Sequence, residues 1–378
     1  MIKNGGGLAL LRLIGWNGAV LAALILVCEI VFGYWFWGDP LDGLNIFRGV
    51  TWRYDANHLY ARDEPVIYRR DKWGFRGQYG EPADIGVLIV GGSTTDQRFI
   101  TEGETWPDVF SQCLDKNGVS LPVANGGVTG QSTQGFLADM DLWFSRIPNL
   151  KPKFMMAYLG INDIWAKSET HKYKNNPREF NEQRVVTSQW SVLYQRMKMH
   201  SAMYRLYRTV KGAWIAWKAG LAYQTGGAGD ERAADVMARK MTAARAVTIL
   251  RDGPKLRAME KQVEANYGGE LVYYRRNLLT FVEKVRATGT EPLLVTQTWA
   301  NFGFDGDRLY GDAFQYALQN TFNDVTRQTC AAENLPCIDL AADISFRPGD
   351  TIDAVHTTPR GARRVGDYIC KKFLALIK

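Results

Sequence analysis

The 378-residue sequence predicts an α/β protein in which helices cover both faces of a central parallel sheet, giving three α/β/α layers. Short apolar segments alternate with helical patterns along two stretches of the chain, which indicates parallel strands joined by helices. An apolar segment near the N-terminus is long enough to cross a membrane. A long basic stretch interrupts the alternation. We therefore expect an N-terminal transmembrane helix and a mostly helical insertion beside the sheet.

The N-terminal segment 14–37 is apolar throughout except for Glu29, its only charged residue. A helix of this length reaches roughly 36 Å, more than the roughly 30 Å of a hydrocarbon core. Lys3 and Arg12 precede it, so the positive-inside rule keeps the N-terminus cytoplasmic. A cleavable signal peptide is the alternative, but no small-x-small cleavage site follows. We expect residues 1–38 to form a single-pass signal-anchor of the cytoplasmic membrane, with the rest of the chain periplasmic or otherwise extracytoplasmic.

The remaining chain divides into three regions. Residues 39–84 are polar, rich in aromatic residues and without a regular pattern, so we expect an irregular connector. The α/β alternation occupies 85–163 and 286–378, and Thr105 and Thr358 are N-cap residues of predicted helices. Five apolar segments are strand candidates: Val87–Val90, Leu121–Ala124, Phe154–Leu159, Pro292–Gln297 and Cys337–Leu340. Functional residues are expected where such strands end, since ligands bind at the carboxyl ends of parallel strands.

The stretch 164–285 between the third and fourth candidate strands is far longer than a crossover connection needs. It holds 22 Lys and Arg against 11 Asp and Glu, whereas the whole chain has a net charge of +7. A helix through 198–218 would place Met203 and Leu206 on one face and Arg205 opposite. This basic helical insertion fits two alternatives: it binds a membrane or an anionic partner, or it packs its apolar face on the neighbouring domain.

The five cysteines fit an extracytoplasmic location. Cys28 lies in the apolar segment, which leaves Cys113, Cys330, Cys337 and Cys370 outside the membrane, an even number. Disulfides between Cys330 and Cys337 and between Cys113 and Cys370 are compatible with the predicted elements. Free buried thiols are the alternative.

The first candidate strand ends in Gly91-Gly92 and is followed directly by Ser93. The segment lacks the lysine of a phosphate-binding loop and the G-x-G-x-x-G pattern of a dinucleotide site. The hydroxyl group either caps the next helix or acts as a nucleophile. A nucleophile requires a base, an orienting acid and donors for an oxyanion.

Candidates for those partners follow other strands or precede the last helix. His356, one of four histidines, follows Asp353 by three residues, a spacing that lets the carboxylate hold Nδ1–H while Nε2 takes a serine proton. Gly127 follows the second candidate strand, and Asn162 and Asp163 follow the third. Ordinary turn or surface-loop roles are the alternative for each residue. We expect Asp163 to brace its loop.

The order of these four blocks resembles the SGNH (GDSL-type) hydrolase superfamily, in its membrane-anchored bacterial form. The resemblance implies a flavodoxin-like three-layer fold. It implies Ser93 as nucleophile and His356 with Asp353 as the acid–base pair. It also implies an oxyanion hole made by the backbone N–H groups of Ser93 and Gly127 and the side chain of Asn162.

Two further positions bear on the resemblance. Thr296–Gln297 is similar to the family, without an assigned role. Gly92 stands where the family commonly has Asp, which removes a loop brace but no catalytic group.

The sequence thus predicts a serine-dependent acyl ester hydrolase that acts on an acylated carbohydrate or lipid outside the membrane. One alternative is an O-acetyltransferase that modifies exported or cell-surface polysaccharide beside a multispanning acyltransferase partner. Another is a non-catalytic glycan-binding or assembly subunit. No metal or cofactor is expected, because no His, Cys and Asp cluster has ligand spacing. No nucleic-acid partner is expected.

Overall fold

The computed structural model describes residues 5–36, 38, 40–41, 44, 46–165, 200–207, 210–211, 214, 231–245, 248–251 and 253–377. The chain divides into two units. One comprises residues 1–43 and 180–215, and the other comprises residues 44–179 and 216–378.

The helices and strands with defined bounds are, in chain order, α1 (Gly5–Phe32), β1 (Val50–Tyr54), β2 (Val66–Arg70), β3 (Val87–Gly91), α2 (Ser93–Asp96), α3 (Trp106–Lys116), β4 (Val123–Asn125), α4 (Thr133–Leu142), β5 (Phe154–Tyr158), α5 (Ala233–Ala244), β6 (Thr248–Leu250), α6 (Pro254–Ala287), β7 (Glu291–Val295), β8 (Phe302–Asp305), β9 (Arg308–Gly311), α7 (Ala313–Glu333), β10 (Cys337–Ile338), α8 (Leu340–Asp343) and α9 (Pro359–Leu376). Short 3₁₀ turns cover Pro82–Asp84, Phe144–Arg146 and Asp163–Trp165.

The central sheet of the second unit has five parallel strands in the order β10-β7-β5-β3-β4. Every residue of β3 and β5 is buried, which is why these strands are apolar without alternation: helices cover both faces of the sheet. All five strand candidates lie in this sheet, with bounds shifted by one to a few residues. The predicted fold class is confirmed.

Helices α3 and α9 cover one face of the sheet. Trp106 and Phe110 of α3 pack with Phe373 of α9 in the core that contains Val87 and Ile89. The alternate residues of β3 face the opposite layer, where α4, α6 and α7 pack on one another. The N-caps are as predicted, because the side chain of Thr105 accepts a hydrogen bond from the Asp108 amide and that of Thr358 from the Gly361 amide.

The segment 39–84 is more regular than expected. Strands β1 and β2 form an antiparallel pair in which buried and exposed residues alternate. Trp52 and Tyr68 stack with their ring centroids 5.5 Å apart, and Tyr54 is also buried. The prediction of an irregular connector is therefore wrong for residues 50–70, where arginines at the exposed positions hid an apolar face.

The C-terminal boundary predicted for the insertion also differs from the structure. Helix α6 runs from Pro254 to Ala287, and its second half buries Tyr274, Leu278 and Phe281 in the sheet-covering layer. Strand β6, within the predicted insertion, pairs with β9 in a small antiparallel sheet of the order β6-β9-β8 that the sequence did not indicate. The described residues between 231 and 285 belong to the same unit as the central sheet.

In the first unit, Arg12–Phe32 of α1 is long and apolar enough to cross a membrane, a property it shares with signal sequences. The Glu29 carboxylate near its end accepts hydrogen bonds from Ser201 Oγ (2.6 Å) and the amides of Ala202 (2.8 Å) and Met203 (3.1 Å). It thereby caps the helical residues 202–207.

Of the amphipathic helix predicted through 198–218, the structure describes residues 200–207, 210–211 and 214, with Leu206 and Val210 exposed. Positions 198–199, 208–209, 212–213 and 215–218 lie outside the described residues.

Two disulfides lie in the second unit. Cys113 of α3 is bonded to Cys370 of α9, and Cys330 near the end of α7 is bonded to Cys337 of β10. Cys28 is free. Both pairings that the sequence left open are therefore formed. The first closes a loop of 257 residues and stabilises the fold chiefly by restricting the unfolded chain.

Candidate active site

Ser93 is the first residue of the short helix α2, directly after the carboxyl end of β3. Gly92 precedes it and approaches the loop of Asn162 so closely that a Cβ atom at this position would collide with the Asn162 amide nitrogen. The same atom would lie 3.1 Å from the Gln131 carbonyl oxygen. A side chain at position 92 would therefore require the Asn162 amide to move, which glycine, the departure from the family pattern, avoids.

A hydrogen-bonded chain joins Ser93 to the loop before α9. Ser93 Oγ lies 2.8 Å from His356 Nε2, and His356 Nδ1 lies 2.7 Å from Asp353 Oδ2. The His356 and Asp353 side chains are 31% and 38% exposed, so the chain is accessible from solvent. The structure thus brings together three residues that lie up to 263 positions apart in the sequence.

The Asp353 carboxylate is held in place by its own loop. Its Oδ1 accepts hydrogen bonds from the amides of Val355 and His356, each 2.8 Å long. Burial alone would raise the pKa of Asp353, but the hydrogen bonds and charge of His356 and the Val355 amide lower it below its ordinary value. An ionised carboxylate keeps the proton of His356 on Nδ1, which leaves Nε2 free to accept the Ser93 hydroxyl proton.

Gln97 connects the two loops that carry this chain. It has a left-handed conformation with φ of 45° at the end of α2. Its Oε1 accepts a hydrogen bond from the Trp106 amide (2.6 Å), and its Nε2 donates one to Thr357 Oγ1 (2.7 Å). Thr357 is the neighbour of His356, so Gln97 sets the spacing between the serine and histidine loops. No local pattern in the sequence marks it.

The Thr296–Gln297 pair lies against the same helix. Gln297 Nε2 donates to Thr94 Oγ1 over 3.3 Å, and Thr296 Oγ1 donates to Asp339 Oδ1 over 2.8 Å. These bonds connect the end of β7 with the residue after Ser93 and with the segment that follows β10.

Asn162 and Asp163 have different environments. Asn162 Nδ2 donates to the Gln131 carbonyl (2.8 Å), and the side chain lines the same cavity as Ser93. Asp163 is buried and braces the loop as expected, because its Oδ1 accepts hydrogen bonds from the amide (3.0 Å) and hydroxyl (2.6 Å) of Thr133. Burial raises the pKa of Asp163 to about 6.

Gly127 is not where the oxyanion assignment requires it. Its N–H donates to Asn125 Oδ1 (2.9 Å), and its carbonyl accepts from the Arg70 guanidinium, so both polar groups are already engaged. Gly130, three residues on, lines the cavity with φ of +83°. The structure therefore does not support the assignment of Gly127 to the oxyanion hole, because its amide is bonded to the Asn125 side chain and Gly127 is not among the residues that line the cavity.

A buried charge cluster, Asp96 with Arg70, Arg76 and Glu102, lies behind α2 and was not predicted. Asp96 pairs with Arg70 Nη2 at 2.8 Å, while Arg76 pairs with Glu102. Asp96 also accepts hydrogen bonds from the hydroxyls of Tyr68 (3.0 Å) and Thr129 (2.7 Å). Burial alone would raise the pKa of Asp96, but the neighbouring arginines and Thr129 lower it to about 2.

A cavity of about 620 Å³ opens at Ser93 and His356, within the roughly 300–1,000 Å³ usual for small-molecule sites. Its walls include the aromatic rings of Phe99, Trp165 and Trp299 and the amides of Asn301 and Gln315. Over the described part of the chain, no group of three or more His, Cys, Asp or Glu side chains could hold a metal ion.

A model of the GDSL-like lipase/acylhydrolase family matches residues 89–364. Similar solved structures include TesA, 13% identical, covering 77% of this chain and 98% of that chain with a TM-score of 0.41. They also include the acetyl xylan esterase AlAXEase (13% identical, 75% and 98% covered, TM-score 0.39). A third is Axe2, an acetylxylan esterase from Geobacillus stearothermophilus (12% identical, 76% and 92% covered, TM-score 0.38). No curated protein matches the sequence.

The family match spans most of the chain and contains Ser93, Asn162, Asp353 and His356. The resemblance to GDSL-type hydrolases noted from the sequence is confirmed, and the chain belongs to the GDSL-like lipase/acylhydrolase family.

Proposed function

We propose that the protein is a serine-dependent acyl ester hydrolase in which Ser93 is the nucleophile, His356 the general base and Asp353 its orienting acid. The observation that carries the proposal is the hydrogen-bonded chain from Ser93 Oγ through His356 to Asp353, which opens on the cavity. A hydroxyl, an imidazole and a carboxylate in this order are the parts that nucleophilic acyl transfer requires.

The reaction then has two steps. Ser93 Oγ attacks the ester carbonyl carbon while its proton passes to His356 Nε2, and the ester C–O bond breaks as the alcohol leaves with that proton. Water next attacks the acyl-serine ester, again losing a proton to His356. Breakage of the serine ester bond releases the carboxylic acid and returns the proton to Ser93. Asp353 stabilises the imidazolium in both steps.

The oxyanion of each tetrahedral intermediate is assigned to the backbone N–H groups of Ser93 and Gly130 and the amide of Asn162. Gly130 replaces Gly127 because it lines the cavity, whereas the Gly127 amide is bonded to Asn125. Asn162 has two amide hydrogens, and one of them suffices for the Gln131 carbonyl. Each such donor typically contributes about 10²–10³ in kcat.

The chemistry of the cavity favours a carbohydrate ester over a lipid ester. Exposed Trp165 and partly exposed Phe99 present aromatic faces on which the apolar face of a sugar ring can pack. The amides of Asn301 and Gln315 donate and accept one hydrogen bond between them, and their remaining donors and acceptors offer polar groups for hydroxyls within the same cavity.

The proposed site of action is outside the cytoplasmic membrane, with α1 as the anchor. The apolar helix Arg12–Phe32 supports anchoring. The disulfides Cys113–Cys370 and Cys330–Cys337 support an oxidising compartment.

Reaction of the detergent-solubilised full chain with a fluorophosphonate tests the proposal, because the reagent traps an activated serine. Peptide mass spectrometry should place the adduct on Ser93, with parallel hydrolysis of 4-nitrophenyl acetate. Ser145→Ala is the matched control, since Ser145 is exposed and its hydroxyl only donates to the Asp141 carbonyl. An unlabelled Ser93, or an adduct at another residue, would refute the assignment. Transfer of acetyl to added oligosaccharide instead of water would identify an acyltransferase.

A further inference from the structure

Arg98 is the only permanently charged side chain among the described residues that line the cavity. Ser93, five residues earlier, and His356 line the same cavity, and no Asp or Glu among the described residues does so. A guanidinium at the cavity wall, with no acid among the described lining residues, contributes a positive potential where the substrate binds.

The arginine is held in position without its donors being used. Its Nη2 lies 3.9 Å from Asp96 Oδ2, beyond hydrogen-bond distance, and it makes no hydrogen bond with the residues that the structure describes. The guanidinium carbon lies 5.4 Å from the Phe47 ring centroid and 5.8 Å from that of Tyr68. The side chain is 31% exposed. Aromatic contacts of this kind orient a guanidinium in advance, so that little entropy is lost when it binds a ligand.

The charges behind Arg98 do not cancel it. Asp96 is already paired with Arg70 at 2.8 Å, and Glu102 is paired with Arg76. Three guanidinium groups therefore share two carboxylates, which leaves an excess of positive charge, and Arg98, the most loosely paired of the three, is the one that lines the cavity. A buried Arg70–Asp96 pair accepts no further ligand, whereas Arg98 can offer a planar pair of N–H donors that matches a carboxylate.

We propose that Arg98 binds a carboxylate on the substrate, so that the enzyme selects esters carrying a negative charge close to the scissile bond. This inference rests on the proposed esterase function and names its substrate class. The carboxylate belongs either to an acidic sugar that carries the ester or to a dicarboxylic acyl group such as succinyl. In both cases the anion and the ester carbonyl that Ser93 attacks occupy the same cavity.

The test compares acidic and neutral esters on the detergent-solubilised full chain. For the sugar side, acetylated oligogalacturonide is paired with its methyl-esterified neutral form. For the acyl side, 4-nitrophenyl hemisuccinate is paired with 4-nitrophenyl acetate. The readout is the acidic-to-neutral ratio of kcat/KM, which does not depend on the fraction of folded enzyme because both esters are measured on one preparation.

Arg98→Gln should lower the ratio about 10–100-fold for one of the two pairs, since a charged hydrogen-bonded contact is lost. The affected pair identifies the source of the carboxylate. Arg98→Lys should retain part of the ratio, because it keeps the charge but not the planar fork. Arg53→Gln is the matched control: Arg53 is exposed on β1 and does not line the cavity, so both ratios should equal those of the wild type.

Equal ratios for the wild type and Arg98→Gln on both pairs would overturn the inference while leaving the esterase function intact. Absence of turnover of all four esters by the wild type would instead refute the proposed function and this inference with it.

Discussion

The two ends of the short helix α2 lead to opposite environments. Ser93 begins it, bonds to a partly exposed His356 and opens on the cavity. Asp96 ends it, is 1% exposed and is paired with Arg70. One turn of helix thus separates a group that must reach a substrate from a group that holds the loops together. Changes at the first end should therefore alter the reaction rate, and changes at the second should alter stability.

Ser93→Ala gives the sharpest version of this contrast and the largest expected effect. It removes the proposed nucleophile, so kcat/KM on 4-nitrophenyl acetate should fall by at least about 10³-fold. The free energy of unfolding should change by less than about 1 kcal/mol, because only one partly exposed hydrogen bond is lost. A Ser93→Ala variant with the wild-type kcat/KM would show that Ser93 is not the nucleophile.

Asp96→Asn tests the other end and should act on stability. It leaves the buried Arg70 guanidinium without its counter-charge, which should lower the free energy of unfolding by about 3–5 kcal/mol. Urea unfolding with the disulfides intact measures the difference. The pKa of Asp96 is lowered to about 2 in the folded protein, so its stabilisation is present above the unfolded pKa of about 4 and is lost as the pH falls towards 2. In Asp96→Asn, the loss of unfolding free energy that protonation of Asp96 causes at low pH should be absent.

Gln97 lies between the two ends of this contrast, and Gln97→Glu tests whether it affects the reaction rate or the stability of the fold. Glutamate keeps an acceptor for the Trp106 amide but cannot donate to Thr357 Oγ1. Loss of the bond to Thr357 should displace the His356 loop slightly. This displacement should lower kcat about 10–100-fold with little change in KM. Gln97→Ala, which loses both bonds, should also reduce the melting temperature. A loss of melting temperature in Gln97→Glu with an unchanged kcat would show that Gln97 only stabilises the fold.

Asp163→Asn should have the smallest effect, and its sign depends on pH. Because burial raises the pKa of Asp163 to about 6, its stabilising contribution is complete below the unfolded pKa and is lost as the pH rises through 6. Asparagine keeps an oxygen for Thr133 and carries no charge. The variant should match the wild type near pH 4 and exceed its unfolding free energy by about 1–3 kcal/mol at pH 7. A destabilised variant at pH 7 would show that the ionised carboxylate is required.

Several parts of this protein could be predicted from local sequence because their cause is local. The strands β3 and β5 are apolar runs since both faces of the sheet are covered, and helices α3 and α9 begin at N-capping threonines. Ser93, Asp353, His356 and Asn162 were found because each follows or precedes a predicted element in a characteristic order. Their catalytic roles stay a prediction that the fluorophosphonate and Ser93→Ala experiments test.

Other parts had no local signal. Charged residues usually lie on the surface, so the sequence contained no sign of the buried cluster. Only pairing across 26 positions buries these residues, Arg70 with Asp96 and Arg76 with Glu102. Gly127 and Gly130 are equally plausible turn glycines in the sequence.

The sequence by itself determined the chain order of the five central strands and the residue types available for acyl transfer, because periodicity, capping and turn chemistry act over a few residues. The tertiary structure alone decided which glycine and which arginine line the cavity. Those outcomes depend on contacts between segments distant along the chain, such as the hydrogen bond from the Arg70 guanidinium to the Gly127 carbonyl. The free energy of such contacts is set by burial and by competing partners, neither of which a local sequence pattern contains.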